Sequence, residues 1–177
     1  MTMLRCPPRA LRTERLLLRP TCASDADRAF QILNDWEVAR MLRLVPFPPD
    51  RHENAKWFAD HQREWEAGQA CRFSIVDGEK MIGLVDIDGI DRHEGTLGYW
   101  LDRAAWGCGY ALEAAHAVAR FAAEDAGLRK LKASHAHDNP ASRRILARLG
   151  FVHLDIVERF SRPRNETISQ WRYVKAL

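Results

Sequence analysis

No run of apolar residues in this 177-residue chain approaches the roughly 20 needed to cross a bilayer. The first ten residues, with Arg5, Pro7, Pro8 and Arg9, hold no apolar stretch of signal-peptide length. A membrane or secreted protein is therefore not expected, and a cytoplasmic one is. Cysteine is scarce: Cys6, Cys22, Cys71 and Cys108 never fall into a CxxC spacing, and no Cys/His cluster has the spacing of zinc ligands. This argues against a disulfide scaffold and a zinc module, and predicts free thiols and no metal site. An excess of one charge is missing as well. Lys and Arg number 27 against 24 Asp and Glu, a net charge of +3, which excludes a polybasic arm or an acidic tail as the main device. No interleaved basic and aromatic RNA signature is present, so direct nucleic-acid binding is not expected. There is no internal repeat, low-complexity tract or Gly/Ser linker.

What is present is ordinary for a globular domain: 46% hydrophobic and 29% charged residues. The length predicts a single domain over 1–177, with its core at about 11–174 and a flexible N-terminus at 1–10. Such a chain buries roughly 70% of its extended surface. Charge is uneven, however. From residue 128 to the end, eleven Lys/Arg face four Asp/Glu, and a basic third of this kind suits an anionic ligand.

The order of elements is informative. Leu16-Leu17-Leu18 reads as a short strand ended by Pro20. Ser24 is placed to cap a helix whose first turn holds Asp25 and Asp27. A second helix is expected from Asp50 to about Glu66, with Ala55, Phe58, Ala59 and Gln62 on one stripe. Phe73–Val76, the Asp77-Gly78 turn and Met81–Val85 form a hairpin. Thr96–Leu101 adds a third strand. An Ala-rich helix then runs to about Glu124, able to lie close to a sheet. A strand over 128–135, a helix from Asn139-Pro140 to Gly150, and strands over 151–160 and 168–174 complete the chain. The order is strand, two helices, antiparallel strands, helix, strand, helix, strands: a mixed α/β or α+β layer fold rather than a regular βαβ alternation.

Two short stretches carry chemistry. Gly107-Cys108-Gly109 hands a strand over to a helix, where unpaired N–H groups and the positive dipole end can meet a pyrophosphate once no side chain intervenes. A tight loop needing positive φ would select the same glycines. Asn139-Pro140-Ala141-Ser142 caps a helix, and it also sets two polar groups at the mouth of a cleft beside the preceding helix.

These residues resemble a family. Thr13-Glu14-Arg15-Leu16-Leu17-Leu18-Arg19-Pro20 is similar to the opening strand of the GNAT acetyltransferases, and more narrowly of the branch that acetylates ribosomal-protein N-termini. Gly98-Tyr99-Trp100-Leu101 with Trp106-Gly107-Cys108-Gly109-Tyr110-Ala111-Leu112-Glu113-Ala114 resembles that branch's acetyl-CoA signature. Asn139-Pro140-Ala141-Ser142 with Leu149-Gly150-Phe151 resembles its last motif. The resemblance covers about 11–174 and implies a mostly antiparallel central sheet flanked by helices on both faces, with a splayed strand pair admitting the acetyl-CoA arm.

It also implies roles. Main-chain groups of Trp100 and Leu101 would bind the thioester end, and N–H groups from Gly107 through Cys108, Gly109, Tyr110 and Ala111 to Leu112 the pyrophosphate. Asn139 would bind the pantetheine arm and Arg143-Arg144 the outer phosphate. The family usually has Gln or Arg where this chain has Trp106, which removes a polar side-chain contact to phosphate there. The implied reaction is direct transfer of acetyl to an amine, with a strand N–H near Leu101 as oxyanion donor and Ser142 as general acid. An α-amine, with a pKa of about 7.7–8.0 against about 10.4 for Lys, needs only a weak base.

Glu94, just before the central strand, is the tentative base, and Glu158 and His137 are alternatives. Glu113 is read as a packing residue, and an acyl-Cys108 route as a minor rival. The tryptophans include Trp36, Trp57, Trp65 and Trp171; core packing is expected for at least half of the six, and an aromatic-walled acceptor groove made partly by the two early helices is expected to use the rest. The acceptor is expected to be an N-terminal α-amine, such as that of a ribosomal protein, with a polyamine, amino acid or drug amine as alternatives. A homodimer is an admissible state, since dimers are the commonest soluble oligomers. Two rivals differ in class: a dinucleotide-dependent oxidoreductase, opposed by Leu112 at the third glycine position of that fingerprint, and a non-catalytic CoA-binding or ribosome-associated module.

Overall fold

The computed structural model describes residues 8–177. The expectations for Cys6 and for the first seven residues of the N-terminus lie outside that range. Among the described residues eight strands form one sheet: β1 (Leu11–Arg12), β2 (Leu17–Pro20), β3 (Cys71–Asp77), β4 (Lys80–Asp91), β5 (Glu94–Leu101), β6 (Lys130–Ala136), β7 (Val152–Ser161) and β8 (Glu166–Ala176). Their spatial order is β1-β2-β3-β4-β5-β6-β8-β7. Every neighbouring pair is antiparallel except β5 and β6, which are parallel. The helices are α1 (Ala26–Leu33), α2 (Trp36–Ala39), α3 (Arg51–Glu66), α4 (Tyr110–Glu124) and α5 (Pro140–Arg148).

The period-2 alternation of β4 assigns the layers. Val85 and Ile87 pack with Phe73, Ile75 and the buried small face of α4 (Ala114, Ala115, Val118, Phe121 and Ala122). Leu84 points to the other face, against Ala26 and Ala29 of α1 and Phe58 of α3. Helices thus cover both faces. Alanine at five of the seven buried positions of α4 lets the helix axis approach the sheet, and Phe121 fills the space that remains, edge-on to Phe73 with centroids 5.3 Å apart.

Three local expectations are corrected. Cys22, not Ser24, stands at the N-cap of the 3-10 turn Ala23–Asp25 that leads into α1. Asp25 turns inward instead, because Arg19 (2.6 and 2.8 Å) and Ser74 (2.7 Å) donate to its carboxylate there. On α3 the buried positions are Phe58, His61 and Trp65, while Ala55, Ala59 and Gln62 are exposed; the larger aromatic face fills the gap to the sheet. The strand read as Met81–Val85 continues to Asp91, since Asp86 and Asp88 find partners inside the molecule.

Candidate active site

β5 and β6 pair only at Glu94↔Lys130, Gly95↔Leu131 and Thr96↔Lys132. Beyond Thr96 they part, and a cleft of ≈ 1380 Å³ opens, lined by Tyr99, Trp100 and Leu101 on one side and Ala133, Ser134 and His135 on the other. Register decides which main-chain groups face this gap. Asp102 N–H donates to Ile82 C=O at 2.7 Å, and Gly83 is opposite Leu101. Antiparallel pairs alternate between bonded and non-bonded. The N–H groups of Tyr99 and Leu101 therefore turn toward the gap, while those of Trp100 turn toward β4. This corrects the expectation for Trp100: its side chain lines the cleft, and Tyr99 shares with Leu101 the main-chain role given to it.

The glycine turn stands at one mouth of the cleft. Gly107 and Gly109 have φ of 79° and 82°, a region costly for a residue with a Cβ. A Cβ at Gly107 would meet nothing within 4 Å, so its surroundings are open. Gly109 caps α4 without a side-chain bond. The first main-chain bond into the helix runs from Glu113 N–H to Gly109 C=O at 3.1 Å. The N–H groups of Tyr110, Ala111 and Leu112 therefore have no partner within the helix, and all three residues line the cleft.

The turn is braced from two sides. Trp106 Nε1 donates to Leu101 C=O at 3.1 Å, so the aromatic at 106 ties the turn to β5. Glu113 accepts from Thr13 Oγ1 (2.6 Å), Arg15 N–H (2.9 Å) and Arg15 Nε (2.8 Å). Burial would raise the Glu113 carboxyl, but these donors hold it below its ordinary range. Arg15 also donates to Cys108 C=O at 2.9 Å and lies 4.6 Å over the Tyr110 ring. The Thr13-Glu14-Arg15 stretch thus anchors the turn, and Glu113 is a packing residue as expected. Cys108 is exposed, sits 3.7 Å from Trp106 C=O, and does not line the cleft.

Asn139 Oδ1 accepts from Ser142 N–H at 3.1 Å. The capping role is therefore real, and both residues also line the cleft. Burial pushes the Tyr99 phenol up to about 12, partly offset by the neighbouring Ser142 hydroxyl. Arg143 departs from expectation: its guanidinium lies 5.0 Å over the Trp171 ring and away from the cleft. Arg144 and Arg148 line the cleft instead and carry no ion pair among the described residues.

Glu94 is not brought to the site. It stands where β5 and β6 still pair, bridges Lys130 and Lys132 (2.7 Å to the latter), and does not line the cleft. The two ammonium groups hold its carboxyl below the ordinary range, which makes it a poor proton acceptor. Glu158 accepts from Ser169 Oγ at 2.6 Å, and neither it nor His137 lines the cleft. His135 does, but it is buried between Ala136 C=O (2.7 Å) and Tyr173 Oη (3.0 Å), and burial lowers its pKa. No group of His, Cys, Asp and Glu able to hold a metal occurs among the described residues.

Asp50, Glu53, Asp86 and Asp88 line the cleft, and Asp86 alone of the four is not exposed. It sits on β4 opposite Gly98. A Cβ at Gly98 would come 2.5 Å from Asp86 Oδ1, so glycine there makes room for the carboxylate. Arg72 Nε is 3.5 Å from Asp86 Oδ2, and the same buried guanidinium also pairs with Glu64 and with Asp88 (3.0 Å). The side chain of Asp86 is 14% exposed. Burial pushes its carboxyl up to about 7 against the pull of Arg72. In the sequence Asp86 stands just past the strand read as Met81–Val85, and its one signal is a charge between two apolar residues. Trp57, 5.2 Å from the Arg72 guanidinium, walls this end of the cleft together with Trp100. Trp36 and Trp65 do not: Trp36 packs on Phe47 and Trp65 lies in the core.

Residues 15–152 match the acetyltransferase (GNAT) domain. An N-acetyltransferase p20 of Bacillus licheniformis, itself uncharacterised, is 28% identical over 92% of this chain and 93% of its own length. The ribosomal-protein-serine acetyltransferase of Escherichia coli K12 is 32% identical over 79% of this chain and 80% of its own. The fold superposes on the ribosomal-protein α-N-acetyltransferase RimL, solved with coenzyme A, at a TM-score of 0.87 and 18% identity, covering 96% of this chain and 98% of that one. Unpaired N–H groups beside an open glycine, leading into a slit between parted strands, fit a diphosphate that carries a thioester arm. The chain belongs to the GNAT acetyltransferase family and is an acetyl-CoA-dependent N-acetyltransferase.

Proposed function

We propose that the chain acetylates the N-terminal α-amine of a protein or peptide, by direct attack on acetyl-CoA within a ternary complex. The observation that carries this reading is the continuity of the cleft. One space runs from the α4 turn, through the gap between β5 and β6, to Trp57 and the loop over residues 41–50 on the opposite side. A donor entering from the turn and an acceptor entering over Trp57 would meet beside Leu101. The name of the Escherichia coli relative favours a protein N-terminus beginning with serine.

Acetyl-CoA supplies the activated acyl group, and the protein supplies position and protons. In this reading the N–H groups of Tyr110, Ala111 and Leu112 hold the diphosphate, with Gly107 and Gly109 keeping the approach clear. Arg144 and Arg148 take the outer phosphate, with Arg148 in the place given to Arg143 beside Arg144, and Asn139 binds the amide-bearing arm. The N–H of Leu101 meets the oxygen that gains charge during transfer; losing such a donor costs roughly 3 kcal/mol. Ser142 is the group placed to give a proton to the departing thiolate, whose conjugate acid has a pKa of about 8.5 and which leaves readily.

The test is a mass-spectrometric acceptor screen with acetyl-CoA. Peptides with free N-termini are compared with N-blocked peptides bearing lysine, and with spermidine. Acetylation of the free N-termini is the expected result. Acetylation confined to spermidine or to lysine side chains would move the acceptor to another class.

A further inference from the structure

We propose that Asp86 is the catalytic proton acceptor for the attacking amine. The assignment rests on the acetyl-transfer reading above and adds to it the base that Glu94 does not provide.

Geometry comes first. Asp86 is on the strand next to β5, on the face that Trp57 and α3 cover, and it lines the same cleft as Leu101 and Trp100. Its partner across the pair is Gly98, two residues from Trp100, which stands opposite Leu84. Diagonal neighbours of this kind lie about 7–8 Å apart at their backbones, so a substrate nitrogen seated between them comes within reach of the carboxylate directly or through one water. The absence of a side chain at Gly98 is what lets the carboxylate stand there, since a Cβ would come within 2.5 Å of its oxygen.

Electrostatics then suit the group to the task. The charged groups around it are Arg72 from β3, Asp88 from β4 and Glu64 from α3. His61 on α3 lies close enough to Arg72 to feel its charge, and Glu53 and Arg162 stand at the far rim of the cleft. Opposite and beside it β5 presents Thr96, Gly98 and Trp100, none of them charged. One guanidinium serves three carboxylates, so it does not fully neutralise Asp86. Burial keeps the carboxyl near 7, close to the range of an α-ammonium group. An ordinary aspartate near 3.8 would accept that proton about a thousandfold less readily.

The amine nitrogen forms a bond to the acetyl carbon while the carbon–sulfur bond breaks, and the pair of electrons leaves with sulfur as thiolate. The proton lost by nitrogen passes to an Asp86 oxygen. The thiolate takes a proton from the Ser142 hydroxyl, which regains one from water, and Asp86 returns its own to solvent.

The experiment compares wild type, Asp86→Asn and Asp88→Asn as full chains, following thiol release from acetyl-CoA with two acceptors: a serine-initiated peptide and the same peptide carrying an N-terminal amine of lower pKa. Coenzyme A binding by heat titration checks that each variant is folded. Asp86→Asn is expected to lower kcat on the order of 100-fold or more, with coenzyme A affinity within threefold of wild type. Asp88→Asn, which removes another partner of the same arginine, keeps kcat within threefold. In wild type kcat rises with pH to a plateau through an apparent pKa near 7 for both acceptors, because the limb belongs to the protein. Asp86→Asn lacks this limb. Wild-type transfer with an unchanged kcat in Asp86→Asn overturns the assignment alone, as does a wild-type limb that moves with the acceptor's own pKa, a readout needing no variant. Absence of transfer by wild type to any amine overturns the acetyl-transfer reading and the assignment with it.

Discussion

The same carboxylate has a consequence for stability that is independent of turnover. Asp86 ionises near 7 in the folded chain against an ordinary 3.8. The folded state therefore holds the proton more tightly than the unfolded state. Stability from this group is fully present below the unfolded value and is lost as pH rises from about 4 to about 7. At 1.36 kcal/mol per factor of ten the full loss is ~4 kcal/mol. Asp86→Asn keeps the shape and cannot ionise, so it gains on wild type by about that amount between pH ~4 and ~8. For a chain of this size ~4 kcal/mol corresponds to roughly 10 °C in Tm. Two other buried groups pull the other way in both proteins. Arg19, the Cys22 N–H and Ser74 overcome burial to hold Asp25 at about 2, and burial lowers His61 to about 3. Only the difference between the two proteins isolates Asp86. Urea unfolding and thermal melts of both, in steps across this range, give that difference. Curves that stay parallel from pH ~4 to ~8 would refute the reasoning. A divergence would mark a residue kept at the expense of stability, as catalytic groups often are.

Two further outcomes follow from the braced turn. Gly109→Ala forces a Cβ into a left-handed conformation, at a cost of roughly 1–2 kcal/mol, with a contact of 3.4 Å to Arg15 Nη2; coenzyme A affinity measured by heat titration should fall about tenfold or more, and an unchanged affinity would detach the turn from diphosphate binding. Glu113→Ala removes the acceptor shared by Thr13 and Arg15 and leaves donors unsatisfied at a cost of about 2 kcal/mol; differential scanning calorimetry should show Tm lowered by several degrees, and a Tm equal to that of wild type would mean that the clamp contributes no stability.

The sequence by itself determined most of the elements and the binding turn. Periodicity located the hairpin at Asp77-Gly78, the Ala-rich α4 and the Asn139-Pro140 start of α5, because these signals are local: a turn needs its glycine, a cap its side-chain oxygen, and a helix its apolar stripe. The two glycines at 107 and 109 were legible for the same reason. The tertiary structure alone decided what depends on residues far apart in the chain. It inserted β8 between β6 and β7, set Arg143 on Trp171 and left Arg144 and Arg148 to the cleft, and tied Glu94 to Lys130 and Lys132. It also turned one aspartate of an apolar strand inward, across from the single glycine that leaves it space. A lone acidic residue in a strand carries no local mark of burial. Its ionisation is set by the helix and strands laid over it, and those arrive only when segments separated by tens of residues have packed together.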